Sequence, residues 1–180
     1  MLENRKKYGF DTDNIFAVGD SAGAHQLALY SCILTNPEYA KTYKFQVPGQ
    51  FKLRAIALNC GQYDMRHKES MGKMEQGLMK CVLKGKGTEE ELQWVTPILH
   101  MTSQFPPTYL MTALGDFLHE QVPVIEKQFD KFEIEHVTKM YGTEDNPLSH
   151  IFHCNMRSED AKICNDEECQ FFKAHMNKHI

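Results

Sequence analysis

Short apolar runs alternate along the chain with longer stretches of helix-favouring composition. Four of these runs predict β-strands, at residues 14–18, 53–60, 106–116 and 134–141. Residues 22–34 and 119–132, which follow the first and third runs, favour helix. Apolar strands separated by helices are typical of a mainly parallel sheet that is covered on both faces. The pattern therefore predicts an α/β fold in which helices flank the sheet.

The stretch between the second and third predicted strands has a different composition. From Tyr63 to Trp94 it is rich in Met, Lys and Glu, and several methionines recur at helical spacing. Methionine at such positions is more often flexible core filler than the lining of a partner-binding groove, which is the alternative. We expect a helical insertion outside the sheet over residues 65–93, within a single domain that spans residues 1–180.

Charge and cysteine content exclude several classes of function. The 180 residues contain 20 Lys and Arg against 24 Asp and Glu, a formal net charge of −4, and no basic stripe that would predict a nucleic-acid partner. No apolar run approaches the ~20 residues needed to span a bilayer, and residues 1–10 are too polar for a signal peptide. The six cysteines are scattered, unlike those of a disulfide framework. We therefore expect a reducing compartment, the cytoplasm, and no membrane partner.

Residues 19–23, Gly-Asp-Ser-Ala-Gly, match the Gly-x-Ser-x-Gly pattern of a nucleophile elbow. The pattern lies between a predicted strand and a predicted helix, which is the context that the motif requires. A serine on such a sharp turn crowds the residues two places away on each side, so both are expected to be small. The following helix points its first N–H groups toward the oxyanion that forms on attack. Ser21 is therefore a candidate nucleophile, with a plain strand–helix turn as the alternative.

The two other residue types of a catalytic triad follow Ser21 in the chain, first an acid and then a histidine. Asp116 comes at the end of the third predicted strand, and His150 and His153 lie in a loop after the fourth. All of these residues thus come at the carboxyl ends of predicted strands. Three roles in this order, each at a strand end, favour a hydrolase of the Ser-His-Asp type.

Each of these assignments has an alternative. Asp116 could serve as a helix N-cap, and the rival acids are Asp130, within a helix, and Asp145, in a loop close before the histidines. His153 would more often be a surface residue or one that supports the site from behind. Asp20, beside the candidate nucleophile, is expected to brace the elbow rather than to transfer protons.

Three segments resemble the hormone-sensitive-lipase-like and acetyl-esterase branch of the α/β-hydrolase family, namely GDSAGAH at 19–25, FPPTYLMTALGDFL at 105–118 and LSHIFHCN at 148–155. The resemblance implies that Ser21 is the nucleophile and Asp116 the acid. It implies that His150 is the base, because the family's histidine opens a His-x-Phe pattern. It also implies that the backbone N–H of Ala22 is one oxyanion donor.

The same resemblance implies a function. A protein of this branch would be a serine carboxylic-ester hydrolase that acts on short-chain acyl esters, above all acetyl esters, including those that decorate plant polysaccharides. The expected partner is therefore a small-molecule or carbohydrate ester, and no cofactor is expected. Residues 65–93 would form a cap that shapes the acyl or alcohol pocket.

One departure from the family pattern is large. The family carries a His-Gly-Gly-Gly loop, well before the elbow, that supplies further oxyanion donors, and residues 1–18 contain no such loop. The chain thus resembles the C-terminal part of an α/β-hydrolase fold, whose first strand would form an exposed sheet edge. We expect a homo-oligomer or an unstable fragment rather than a monomer. The alternative functions are a catalytically impaired remnant and one half of a split enzyme.

Four residues near the C-terminus invite a metal interpretation, namely Cys164, Cys169, His175 and His179. The interval between the two cysteines and the two histidines is too short for a zinc finger, and the cysteine pair is spaced at the loose limit. A solvated amphipathic helix is the simpler interpretation. The sequence therefore predicts no metal site.

Overall fold

The four apolar runs form one parallel sheet in the computed structural model, which describes residues 2–66 and 72–177. The strands are β1 (Phe16–Asp20), β2 (Ala55–Asn59), β3 (Thr108–Ala113) and β4 (His136–Tyr141). Their spatial order is β1-β2-β3-β4, and every pairing is parallel. The carboxyl ends of all four strands consequently meet at one edge of the sheet, where the predicted site residues follow the strands.

Seven α-helices accompany these strands in the described part of the chain. In chain order they are α1 (Arg5–Tyr8), α2 (Ala22–Thr35), α3 (Pro37–Ala40), α4 (Lys73–Val82), α5 (Glu89–Trp94), α6 (Val122–Lys131) and α7 (Glu159–Ala174). The predicted alternation of strands and helices is therefore confirmed.

The core has two layers because successive side chains of a strand point to opposite faces of the sheet. Ile56 and Leu58 of β2 pack with apolar residues of α2 and α6 on one face. Ala55 and Ala57 pack on the other face, where α7 contributes Cys164 and Phe171. Both faces of the strands are covered, which accounts for the nearly continuous apolar runs in the sequence.

The stretch around residues 65–93 contains α4 and α5 and a small apolar cluster of its own. Met65, Leu83, Leu92 and Val95 are the buried members of this cluster. The Thr88 hydroxyl accepts a hydrogen bond from the Glu91 N–H, and the Glu91 carboxylate accepts one from the Thr88 N–H, so that a capping box begins α5. The cap-like role of this stretch and the single-domain boundaries stay predictions, and residues 67–71 lie outside the described residues.

One face of α7 is buried, and its residues recur every three or four positions, as expected for a helix that packs on a sheet. Ala161, Cys164, Glu168 and Phe171 face the sheet, whereas Cys169 is exposed. The two cysteines therefore lie on different sides of the helix, and His179 lies outside the described residues.

Among residues 2–66 and 72–177, no helix combines the length and the apolar character needed to cross a bilayer.

β1 lies at the edge of the sheet that the described residues form, as expected from the sequence. It pairs with β2 on one side, and the Val18 side chain is 51% exposed. An unpaired strand edge of this kind can pair with another strand. The oligomer expected from this edge stays a prediction.

Candidate active site

The elbow around Ser21 joins the end of β1 to the start of α2. Ser21 has φ 55° and ψ −116°, a backbone conformation that L-residues rarely adopt. Such a residue costs on the order of 1–3 kcal/mol and needs support from its surroundings. Part of that support comes from the Ser21 N–H, which donates to the Asn59 carbonyl oxygen at the end of β2, at 2.8 Å.

The two glycines of the motif have different surroundings. A Cβ added to Gly19 would collide with the Gly23 carbonyl group, because strand and helix approach each other closely here. A Cβ added to Gly23 would meet no described atom within 4 Å beyond its chain neighbours and the adjacent backbone of its own helix. The described structure therefore explains the small residue at position 19, whereas the steric requirement expected at position 23 is not found.

The three predicted triad residues are brought together at the carboxyl edge of the sheet. His150 Nε2 lies 2.9 Å from Ser21 Oγ, and His150 Nδ1 lies 2.7 Å from Asp116 Oδ1. A carboxylate accepts only, so Nδ1–H donates to Asp116, and Nε2 is left to accept from the Ser21 hydroxyl. This is the arrangement in which an imidazole can take a proton from a serine.

Asp116 is held in place by several donors. Asp116 is 1% exposed. In addition to the hydrogen bond from the His150 ring, its carboxylate accepts one from the Thr112 hydroxyl at 2.7 Å and one from the Leu118 N–H at 2.9 Å. Burial by itself raises the pKa of Asp116, but the hydrogen bonds from Leu118, Thr112, His150 and the Cys60 thiol together hold it below its ordinary value. The carboxylate is therefore ionised at neutral pH, opposite the imidazole.

The rival acids lie elsewhere. Asp130 is exposed in the last turn of α6, and Asp145 is exposed in the loop before the histidines. Asp116 rather than either of these residues bonds His150.

Of the two roles expected for His153, the structure favours the supporting one. His153 is 5% exposed, and its Nε2 lies 2.6 Å from Asp20 Oδ1, so it lies behind the elbow rather than at the surface or against Ser21. The hydrogen bond from His153 is the largest influence on Asp20 and lowers its pKa. Asp20 is thus engaged in bracing contacts, as its position in the sequence suggested.

Sequence reasoning missed Asn59 and Glu168. The Asn59 amide nitrogen lies 3.1 Å from Asp20 Oδ1 and 2.9 Å from Glu168 Oε2. Burial raises the pKa of Glu168. The spacing of Ala161, Cys164, Glu168 and Phe171 along one helical stripe is the signal that could have placed Glu168 in the interior.

A cavity of about 100 Å³ opens beside Ser21. Its apolar lining consists of Met65, Leu78, Met79, Phe117 and Leu118. His25 also lines it and donates through Nε2 to the Val95 carbonyl oxygen at 2.7 Å, while burial lowers the pKa of its ring. None of the described lining residues is Asp, Glu, Lys or Arg. The cavity therefore favours an uncharged, largely apolar group next to the Ser21 hydroxyl.

The sequence matches the model of one protein family. The BD-FAE family model matches residues 1–126, which is more than half of the chain. The chain belongs to the BD-FAE family. This family is α/β-hydrolase-like, in agreement with the fold that the sequence predicts. No curated protein matches the chain significantly.

Solved esterase structures share the fold of this BD-FAE family member. Esterase B from Lactobacillus rhamnosis (HN001) superposes with a TM-score of 0.79 at 24% identity, covering 97% of this chain and 58% of esterase B. The carboxylesterase Cest-2923 from Lactobacillus plantarum WCFS1 superposes with a TM-score of 0.75 at 14% identity, covering 99% of this chain and 65% of Cest-2923. An esterase from Pyrobaculum calidifontis superposes with a TM-score of 0.67 at 16% identity, covering 96% of this chain and 56% of that esterase.

At these identities the likeness shows the fold, which confirms the predicted α/β-hydrolase sheet with flanking helices. The chain spans about three fifths of the length of these esterases.

Proposed function

We propose that this chain carries the catalytic triad of a serine carboxylic-ester hydrolase that acts on short-chain acyl esters such as acetyl esters. The observation that carries the proposal is the continuous hydrogen-bond chain from Ser21 through His150 to Asp116. An exposed turn serine has no need of an imidazole acceptor, whereas a nucleophile requires one.

The geometry supports a two-step reaction. His150 Nε2 accepts the proton as Ser21 Oγ attacks the ester carbonyl carbon, and the ionised Asp116 stabilises the imidazolium that forms. The protonated His150 then donates to the leaving alcohol oxygen as the C–O bond breaks, which leaves an acyl-Ser21 ester. Water, deprotonated by His150, attacks this ester, releases the carboxylic acid and restores Ser21.

The negative oxygen of each tetrahedral intermediate requires hydrogen-bond donors. The backbone N–H of Ala22, the first residue of α2, is our proposed donor, since the first N–H groups of a helix have no partner within it. One donor typically contributes about 10²–10³ in turnover. The alternative functions are a catalytically impaired remnant and one half of a split enzyme.

The cavity supports the substrate class. Its volume of about 100 Å³ and the lack of Asp, Glu, Lys and Arg among its described lining residues suit a short acyl group better than a long or ionised one. The expected order of turnover is therefore acetate and butyrate esters above octanoate esters, with neutral acyl groups above carboxylated ones.

The test is hydrolysis of p-nitrophenyl acetate by this chain beside Ser21→Ala and Ser103→Ala. Ser103 is an exposed serine far from β1 in the sequence, so its variant is the matched control. Turnover that is lost only in Ser21→Ala supports the esterase. Background rates in all three samples, each folded by circular dichroism, contradict an active chain and favour the remnant or the split enzyme.

A further inference from the structure

Two parallel hydrogen bonds connect the elbow to the loop that carries His150. Ser21 Oγ pairs with His150 Nε2 at 2.9 Å, and the adjacent Asp20 Oδ1 pairs with His153 Nε2 at 2.6 Å. Neighbouring residues of the elbow thus contact two imidazoles that are three positions apart. The second contact takes no part in the proposed reaction, since His153 does not contact Ser21.

The proton of the second contact can be assigned from its surroundings. A carboxylate accepts only, so Nε2 of His153 carries a proton and donates it to Asp20. His153 Nδ1 is buried and has no hydrogen-bond partner among the described residues. The two histidines therefore donate to their carboxylates through opposite ring nitrogens, Nδ1 in His150 and Nε2 in His153.

Asp20, which accepts the hydrogen bond from His153, is itself held by a further contact. Asn59 uses its amide group to contact both Asp20, at 3.1 Å, and Glu168, at 2.9 Å. Its backbone carbonyl accepts from the Ser21 N–H at 2.8 Å. β2 and α7 thereby hold Asp20 and Ser21 together.

The loop that carries His153 is also anchored, by a side chain of α7. The Asn165 side chain of α7 donates to the His153 carbonyl oxygen at 3.0 Å. Between the two histidines, Ile151 has φ 52°, a conformation that is unfavourable for a branched residue and that needs such anchoring. The segment from His150 to His153 is therefore held against the elbow at both of its ends.

We propose that His153 is a positioning residue, whose bond to Asp20 holds the loop at the distance at which His150 reaches Ser21. This role rests on the proposed function, because only a reaction at Ser21 makes the distance matter. Loss of the bond frees the His153 end of the segment from the elbow while leaving Ser21, Asp116 and His150 in the chain. A misplacement of about 1 Å at a reacting group can cost about 10²-fold in rate.

The first experiment measures geometry rather than turnover. In protein labelled with ¹⁵N-histidine, the His150 Nε2 resonance reports the hydrogen bond from Ser21, and Ser21→Ala provides its value without that bond. We expect His153→Phe, which keeps a ring but removes the donor, to move this resonance to the Ser21→Ala value. We expect His153→Gln, whose amide N–H can reach Asp20, to keep the wild-type value.

A His153→Phe resonance at the wild-type value would overturn the proposal, as would an unchanged resonance in Ser21→Ala. If His153→Phe does not fold, Asp20→Ala removes the same bond from its other end. The Asp20 side chain is 41% exposed, so truncation there leaves no large cavity. The same displacement is expected, and an unchanged resonance in folded Asp20→Ala contradicts the proposal.

The second experiment is kinetic. With p-nitrophenyl acetate we expect His153→Phe to lower kcat by about 10²-fold with KM nearly unchanged, and His153→Gln to recover most of the loss. Equal kcat values for the Phe variant and the wild type would overturn the positioning role. If the wild type itself shows no Ser21-dependent turnover, the proposed function fails, and the His150 resonance alone decides whether His153 positions the loop.

Discussion

His150 Nδ1 lies 2.7 Å from Asp116 Oδ1, although the two residues are 34 positions apart in the chain. The contact forms because β3 and β4 are parallel neighbours, so that the loops after their carboxyl ends leave the sheet at the same edge. An isolated bridge between Gly115 and Ser149 continues the pairing beyond the two strands and brings these loops side by side. The orientation of the His150 ring is thus a consequence of sheet topology.

Asp116→Asn tests the orienting role of the carboxylate. An amide at this position loses the negative charge and can favour the wrong imidazole tautomer, so we expect kcat for ester hydrolysis to fall by about 10³–10⁴-fold. Steady-state kinetics with p-nitrophenyl acetate would measure this. The exposed Asp145→Asn is the matched control and should keep wild-type kinetics. Equal losses in both variants would exclude a specific role for Asp116.

Gly19→Ala tests the close approach of β1 and α2. The added methyl group would meet the Gly23 carbonyl, so we expect a loss of about 1–3 kcal/mol in unfolding free energy, together with a loss of esterase activity. Urea unfolding would measure the stability. Gly23→Ala, whose methyl group has room, should keep or raise stability. A tolerated Gly19→Ala would show that the elbow is looser than the structure indicates.

Glu168→Gln tests the cost of a buried carboxylate. Burial raises the folded-state pKa of Glu168 above its unfolded value of about 4.3. Its contribution to stability is therefore fully present below that unfolded value and is lost as pH rises through the folded value. Glutamine keeps an oxygen for Asn59 without the charge, so the variant should have a higher Tm at pH 7.5.

This gain in Tm should shrink as the pH falls toward 4, where Glu168 takes up its proton in both states. Thermal unfolding of the two proteins across pH 4–8 would measure the difference. The exposed Glu144→Gln provides the control and should show no such trend. A Tm difference that is independent of pH would contradict the raised folded-state pKa of Glu168.

The strands, and the meeting of Ser21, His150 and Asp116, could be predicted because each has a local sequence signal. Apolar runs indicate the strands, and the motif around Ser21, followed by an acid and a histidine at later strand ends, indicates which side chains meet. The support behind the elbow has a weaker signal, which indicated Asp20 and one of the two roles of His153 but not Asn59. The side chains of α7 contact both Asn59 and His153, and polar residues in interiors are identified by such partners rather than by their neighbours in sequence.

The measurement that tests the central claim most directly is covalent labelling of the chain with a fluorophosphonate, followed by peptide mass spectrometry. A serine activated by an imidazole attacks the phosphorus and displaces fluoride, whereas ordinary serines do not react. The account predicts one phosphonyl adduct per chain, on the peptide that contains Ser21, and none in Ser21→Ala. An unlabelled Ser21 in the folded wild-type chain, or equal labelling of both proteins, would contradict it.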